Sequence, residues 1–197
     1  MIKVKNISLS FNDKTVLRDL SFHIENGENA CISGPSGKGK SALLKMLQGY
    51  ILPDKGIIEV DGNMMNNKNI RHIRSTMAYI PQNINLPVNN GRELLKLTGY
   101  GGSTEKVYRF IEQLGLPADM LERRFDEISG GEKQRIVTAV CLSLERAILL
   151  LDEPTSSLDD DSIAKLTEVI HNLRNSTIIS ASHNNKWIHS AGKIIRL

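Results

Sequence analysis

The chain has 197 residues, 40% hydrophobic and 24% charged, which is long enough to bury a sizeable core and excludes a disordered or fibrous protein. A formal net charge of +3 is modest, and Arg71, Arg74, Arg109, Arg123 and Arg124 are scattered without interleaved aromatics, so nucleic acid is not the expected partner. The apolar run Ile136 to Leu144 falls short of the roughly 20 residues that cross a bilayer, and the alternating Met1 to Lys5 start is no export signal, so one cytoplasmic globular unit, 1–197, is expected.

In chain order, apolar and polar residues alternate over Ile2 to Ser10 and Val16 to Ile24, with turns at Asn12-Asp13 and Asn26-Gly27, which predicts an antiparallel β start. The apolar stretch Glu28 to Ser33 then runs into Gly34-Pro35-Ser36-Gly37-Lys38-Gly39-Lys40-Ser41 and the helical Ala42 to Gln48. A glycine loop joining a strand to a helix is a phosphate cradle. Backbone N–H groups wrap the phosphates, the helix N-terminus adds a positive dipole end, Lys40 reaches β and γ oxygens, and Ser41 can ligate Mg²⁺.

Further along, Ile57 to Val60 meets an Asp61-Gly62 turn, Arg71-His72-Ile73-Arg74 reads as a solvated helix face, and Met77 to Ile80 is a short strand. Residues 83–128 carry Pro87, Gly91, a Gly99 to Gly102 break and Pro117 around helical stretches Arg92 to Leu97 and Thr104 to Leu114, which predicts a small helical insertion. Beyond it come a helix over Glu132 to Leu144, a strand over Ala147 to Leu151, a helix over Asp160 to Leu173 and a strand over Thr177 to Ala181. Strands alternating with helices predict an α/β fold with a mostly parallel sheet covered on both faces. Cys31 and Cys141 sit in apolar surroundings, which argues for buried free thiols.

The apolar run Ile148 to Leu151 ends abruptly in Asp152-Glu153. In a parallel sheet that end lies beside the phosphate loop. There Asp152 can hold Mg²⁺ through water, and Glu153 can take a proton from the water that attacks a γ-phosphate.

Ile128-Ser129-Gly130-Gly131-Glu132-Lys133-Gln134-Arg135 opens the helix leading into that strand. A small hydroxyl and two glycines at a helix N-terminus form a second anion site. This segment resembles the signature of the ATP-binding cassette family, usually L-S-G-G-Q, with Ile for the Leu and Glu for the Gln. The resemblance spans almost the whole chain. It implies a P-loop nucleotide hydrolase core with an antiparallel β subdomain and a small α-helical subdomain.

By the same resemblance, Ser129, Gly130, Gly131 and Glu132 of one copy cap the ATP held by Gly34 to Ser41 of another, in a homodimer formed on ATP binding. Gln82 matches the glutamine that approaches Mg²⁺ and the attacking water, and His183 the switch histidine that touches the γ-phosphate. Phe11 matches the aromatic that stacks on adenine, and Ser157-Leu158-Asp159 the segment crossing the dimer interface. Two departures stand out: Asn184 replaces the usual Asp, which puts the local hydrogen bonding in doubt, and Lys38 is basic where the family is more often neutral. Lys38 is expected to be solvated, with an added positive field near the phosphates as the alternative. The expected activity is ATP hydrolysis powering separate integral-membrane permease subunits from the cytoplasmic face. A soluble cassette acting on a non-membrane partner is the alternative, and the cargo is left open.

Overall fold

A computed structural model describes residues 1–12, 14–99, 101–173 and 175–197. Asp13 of the first predicted turn and Tyr100 of the Gly99 to Gly102 break lie outside them. In chain order the elements are β1 (Ile2–Phe11), β2 (Lys14–Ile24), β3 (Asn29–Ser33), α1 (Lys40–Leu47), β4 (Lys55–Val60), β5 (Asn63–Met64), α2 (Ile70–Ser75) and β6 (Met77–Ile80). They continue with α3 (Gly91–Leu97), α4 (Thr104–Gln113), a 3₁₀ turn at Ala118–Leu121, α5 (Gly130–Ser143), β7 (Ile148–Asp152), α6 (Asp160–His171), β8 (Thr177–Ser182), α7 (Asn185–Ser190) and β9 (Lys193–Arg196).

Two sheets result. The first is antiparallel, with strand order β2-β1-β4-β5, and the second is parallel, with order β6-β7-β8-β3-β9. The β4–β5 turn follows directly from its residues. Asp61 and Gly62 both take positive φ, 46° and 77°, the geometry a tight two-residue hairpin demands.

The twofold alternation of each parallel strand divides its apolar residues between two cores. Ile148 and Leu150 of β7, Ile179 and Ala181 of β8, and Ala30 and Ile32 of β3 face the core shared with α1 and the antiparallel sheet. Leu149, Leu151 and Ile178 face the other core, under α3, α4, α5 and α6. The helices within 83–128 therefore share a core with the parallel sheet through Leu94, Val107, Phe110 and Ile111.

Elements too short to show a period went unanticipated: β5, the 3₁₀ turn, α7 and β9, of which β9 completes the sheet beside β3. Cys31 and Cys141 are free thiols; Cys31 is buried, whereas Cys141 is only partly so. Burial pushes Cys31 up and Cys141 up to about 12, so neither is a thiolate at neutral pH.

Arg74 corrects one expectation. Arg71 and His72 are exposed, but Arg74 donates from Nε to Gln48 O at 2.8 Å and from Nη2 to Gly49 O at 3.1 Å, and stacks 4.1 Å from the Tyr50 ring. A helix leaves its last carbonyls unpaired, and the guanidinium satisfies those at the end of α1.

Leu150 is fully buried between the two sheets. Leu150→Ala is expected to lower the unfolding free energy by about 2–5 kcal/mol, read as a lower urea midpoint at unchanged slope.

Candidate active site

The chain leaves β3 at Ser33 and turns through the glycine loop into α1. Gly39 is the residue this turn cannot exchange. Its φ is +94°, and a Cβ there would lie 2.6 Å from Val16 Cγ1. Behind it, Lys40 is only 6% exposed. Its Nζ donates to Gly34 O at 2.9 Å and Pro35 O at 3.3 Å, and sits 3.3 Å from Glu153 Oε1. Lys38 is exposed and lies outside the residues that line the cleft described below.

Opposite the loop, the buried β7 delivers two carboxylates to the end of the sheet. Asp152 Oδ1 accepts from Ser41 Oγ at 3.0 Å and Oδ2 from Tyr79 Oη at 3.2 Å. Burial nevertheless holds the Asp152 carboxyl above its ordinary value, because loss of water outweighs these two hydroxyl bonds. Burial, and then the Asp152 charge, likewise push the Tyr79 phenol up, which keeps it a donor.

Glu153 leaves the strand with φ of +48°, a left-handed conformation that costs a non-glycine residue energy. Its N–H donates to Ala181 O at 2.8 Å. Oε2 lies 2.9 Å from His183 Nδ1 and accepts from the His183 backbone N–H at 3.4 Å. The register explains the meeting. Asp152 pairs with Ala181 across β7–β8, so the residues just past both strand ends converge.

Gly39, Lys40, Glu153 and His183 line a cleft of about 340 Å³ together with Phe11, Val16, Ser36, Gly37, Ser41 and Gln82, while Asp152 and Tyr79 stand behind Ser41 outside that lining. Phe11 is 47% exposed at its rim, as an aromatic platform for a flat ligand would be. Gln82 also borders an adjoining hollow of about 330 Å³ with Gly130, Lys133 and Ser157. Larger hollows of about 630 Å³ and 610 Å³ lie at the ends of α4 to α6 and along α6–α7, but no phosphate loop or buried ion pair borders either.

Of the residues singled out from sequence, none of Ser129, Gly130, Gly131 or Glu132 borders the cleft. Ser129 instead caps α5 reciprocally: its Oγ accepts from Glu132 N at 3.2 Å, and Glu132 Oε2 accepts from Ser129 N at 2.8 Å. Gly131 passes so close to the Ser157 segment that a Cβ would lie 2.5 Å from Ser157 O. Asp159 caps α6 through Ser162 N at 2.8 Å, a bond that holds its carboxyl low. Asn184 caps α7, accepting from Trp187 N at 3.1 Å, a task at which Asn equals Asp.

Two residues escaped sequence reasoning. Tyr79 reaches Asp152 only through the β6–β7 pairing, and buried Gln134 donates from Nε2 to Pro154 O at 2.8 Å, beside Glu153. Nothing local in the sequence points to either contact.

Ser41 and Asp152 present a hydroxyl and a carboxylate, hard oxygen donors of the kind Mg²⁺ takes when phosphates and water complete its shell. Among the described residues no cluster of three or more His, Cys, Asp or Glu forms an all-protein metal cage.

A parallel sheet with a phosphate loop at its end, a second antiparallel sheet and a capped glycine helix together define a P-loop nucleotide hydrolase of cassette type. The ABC transporter family model matches residues 17–156. Over 205 residues the chain is 30% identical to an energy-coupling factor transporter ATP-binding protein of Mycoplasma pneumoniae, covering 97% of this chain and 73% of that protein. Over 208 residues it is 33% identical to a protein of the same description from Fusobacterium nucleatum, covering 100% and 78%. Among solved structures, a dimeric ATP-binding cassette in a post-hydrolysis state with ADP and Pi aligns at TM-score 0.88 and 23% identity, covering 100% of this chain and 94% of that one. The chain belongs to the ABC transporter family; it is an ATP-binding subunit and an ATPase.

Because Asp152 is held above its ordinary value, the folded protein binds more protons there than the unfolded chain, and stability falls as pH rises from the normal carboxylate range through the raised value. At neutral pH the ionised group is a net cost. Asp152→Asn keeps an acceptor for Ser41, so it is expected to raise the melting temperature of the nucleotide-free protein. A gain of about 1 kcal/mol would move it by about 2–4 °C. The same variant should lose the extra stabilisation that Mg-ATP gives over ATP with chelator, read by scanning fluorimetry.

Proposed function

We propose that residues 1–197 work as one cassette that hydrolyses ATP in a homodimer, two copies closing head to tail over two nucleotides. That movement drives a membrane transporter through separate integral-membrane permease subunits, with this chain peripheral on the cytoplasmic face. The observation that carries the reading is the Glu153 carboxylate, held between Lys40 Nζ at 3.3 Å and His183 Nδ1 at 2.9 Å beside the phosphate loop. The relatives named as energy-coupling factor transporter ATP-binding proteins support the transport assignment over a soluble cassette with a non-membrane partner. No helix among the described residues is long and apolar enough to cross a membrane.

Phe11 stacks on the adenine, and the Ser36 to Gly39 backbone wraps the phosphates. Lys40 has three N–H donors, now shared among Gly34 O, Pro35 O and Glu153, and the two longer contacts are the ones β and γ oxygens displace. Ser41, Asp152 and Gln82 are the residues that would hold Mg²⁺, which would supply charge neutralisation for the triphosphate.

Glu153 accepts a proton from water as the water oxygen bonds to the γ-phosphorus and the bond to the β-bridging oxygen breaks. His183 holds the Glu153 carboxylate in that orientation and reaches the γ-phosphate. Ser129, Gly130 and Gly131 come from the partner copy, because the chain's own cleft includes none of them. Their N–H and hydroxyl donors stabilise charge on the transferring phosphoryl group.

Glu153→Gln is isosteric and removes the charge, leaving one amide oxygen to accept from Lys40 or from His183 where the carboxylate serves each with its own oxygen. The expected result is a kcat lower by about 10²–10⁴-fold with little change in ATP affinity, and accumulation of a dimer with Mg-ATP by light scattering. Unchanged kcat would remove Glu153 from the role of base. Recovery of the same variant from membranes without any integral-membrane subunit would count against the transport reading.

A further inference from the structure

The tip of α5 carries a contact that phosphate capping cannot share. Glu132 Oε2 accepts two hydrogen bonds from Ser129, from N at 2.8 Å and from Oγ at 2.8 Å, while Ser129 Oγ in turn accepts from Glu132 N. A serine hydroxyl has one proton to donate. Here it is spent inside the tip.

We infer that Glu132 is a built-in restraint on closure, engaging the Ser129 hydroxyl and setting a negative charge where the partner copy's triphosphate must arrive. The inference rests on the proposed head-to-tail dimer and deepens it. The bonds from Ser129, reinforced by the charges of Arg135 and Arg123, hold the Glu132 carboxyl below its usual range, so the charge is present throughout the neutral region.

Two consequences follow for an incoming γ-phosphate. It must win the hydroxyl from a charged acceptor, since hydrogen bonds to ionised groups are about twice as strong as neutral ones. It must also approach a carboxylate of its own sign, with water leaving as the copies close, which strengthens the repulsion. Against this stand the N–H groups of Gly130 and Gly131, which have no intrahelical acceptor in the first turn of α5 and stay available. The tip remains competent, but it closes less readily than one carrying a neutral amide. An amide at position 132 keeps an acceptor for Ser129 N, loses the charge and adds an N–H that can face the phosphate.

The test compares Glu153→Gln with the double variant Glu153→Gln, Glu132→Gln. Half-maximal dimerisation by light scattering is measured against Mg-ATP concentration, alongside binding of a fluorescent ATP analogue to dilute monomer. Expected is a half-point about tenfold lower for the double variant, with monomer affinity unchanged because Glu132 lies outside the chain's own cleft. An equal or higher half-point overturns the restraint while leaving the dimer intact. A changed monomer affinity also overturns it, because residue 132 would then act in its own cleft or support the fold. Absence of dimer from both variants at saturating Mg-ATP refutes the head-to-tail reading itself, a separate failure.

Discussion

The ion pair between Lys40 and Glu153 ties the molecule's two halves of chemistry together. Its partners come from the start of α1 and the end of β7, their side chains are 6% and 7% exposed, and they meet at 3.3 Å. Burying two charges is expensive, and such a pair survives only when its remaining hydrogen-bonding capacity is satisfied. Here it is. Gly34 and Pro35 carbonyls take further lysine protons, and His183 takes the second glutamate oxygen. Losing one member of a buried pair costs about 3–5 kcal/mol, so these groups bind loop and strand to one geometry besides the roles proposed for them in the reaction.

Next to it stands a carboxylate with the opposite circumstances. Asp152 is adjacent in sequence but points to the other side of the strand end, where its hydrogen-bond donors are the hydroxyls of Ser41 and Tyr79. Hydroxyls satisfy lone pairs without neutralising charge, so desolvation prevails and the carboxyl is pushed up. A divalent cation reverses that balance far more effectively than another neutral donor. Neighbouring acids are thus given separate work by their surroundings, one facing fixed positive charge and one suited to a cation that arrives with the substrate.

Most of the scaffold was legible because its signals are local. Long strands show twofold alternation, as in Ile2 to Ser10, and the glycine loop specifies its own backbone through residues that accept positive φ. Arg74 misled because its partner is the end of a helix more than twenty residues earlier, which no window reveals. Tyr79 and Gln134 were invisible for the same reason, each acquiring meaning from a strand pairing or helix docking. Asn184 carried a doubt that the fold resolves locally, since helix capping asks only for a short side-chain acceptor. Lys40, Ser41 and Glu153 stood out because the glycine loop and the acidic strand end leave a compositional mark, whereas Phe11, Gln82 and His183, which line the same cleft, were singled out only by the resemblance to the cassette family.

The α5 tip and the proposed catalytic glutamate are joined within the chain, which bears on how two copies would act on each other in the proposed dimer. Gln134, one turn into α5, donates to Pro154 O, and Gly131 lies against the Ser157 backbone, so the tip is braced against the segment that follows Glu153. These contacts place the tip directly beside the left-handed bend at Glu153. In the proposed dimer each tip sits on the other copy's nucleotide. In that dimer the path from one cleft to the partner's glutamate would run through a few packed contacts instead of a long relay. Coupling between the two sites then needs no separate device, because the body that completes one site also carries the base of the other.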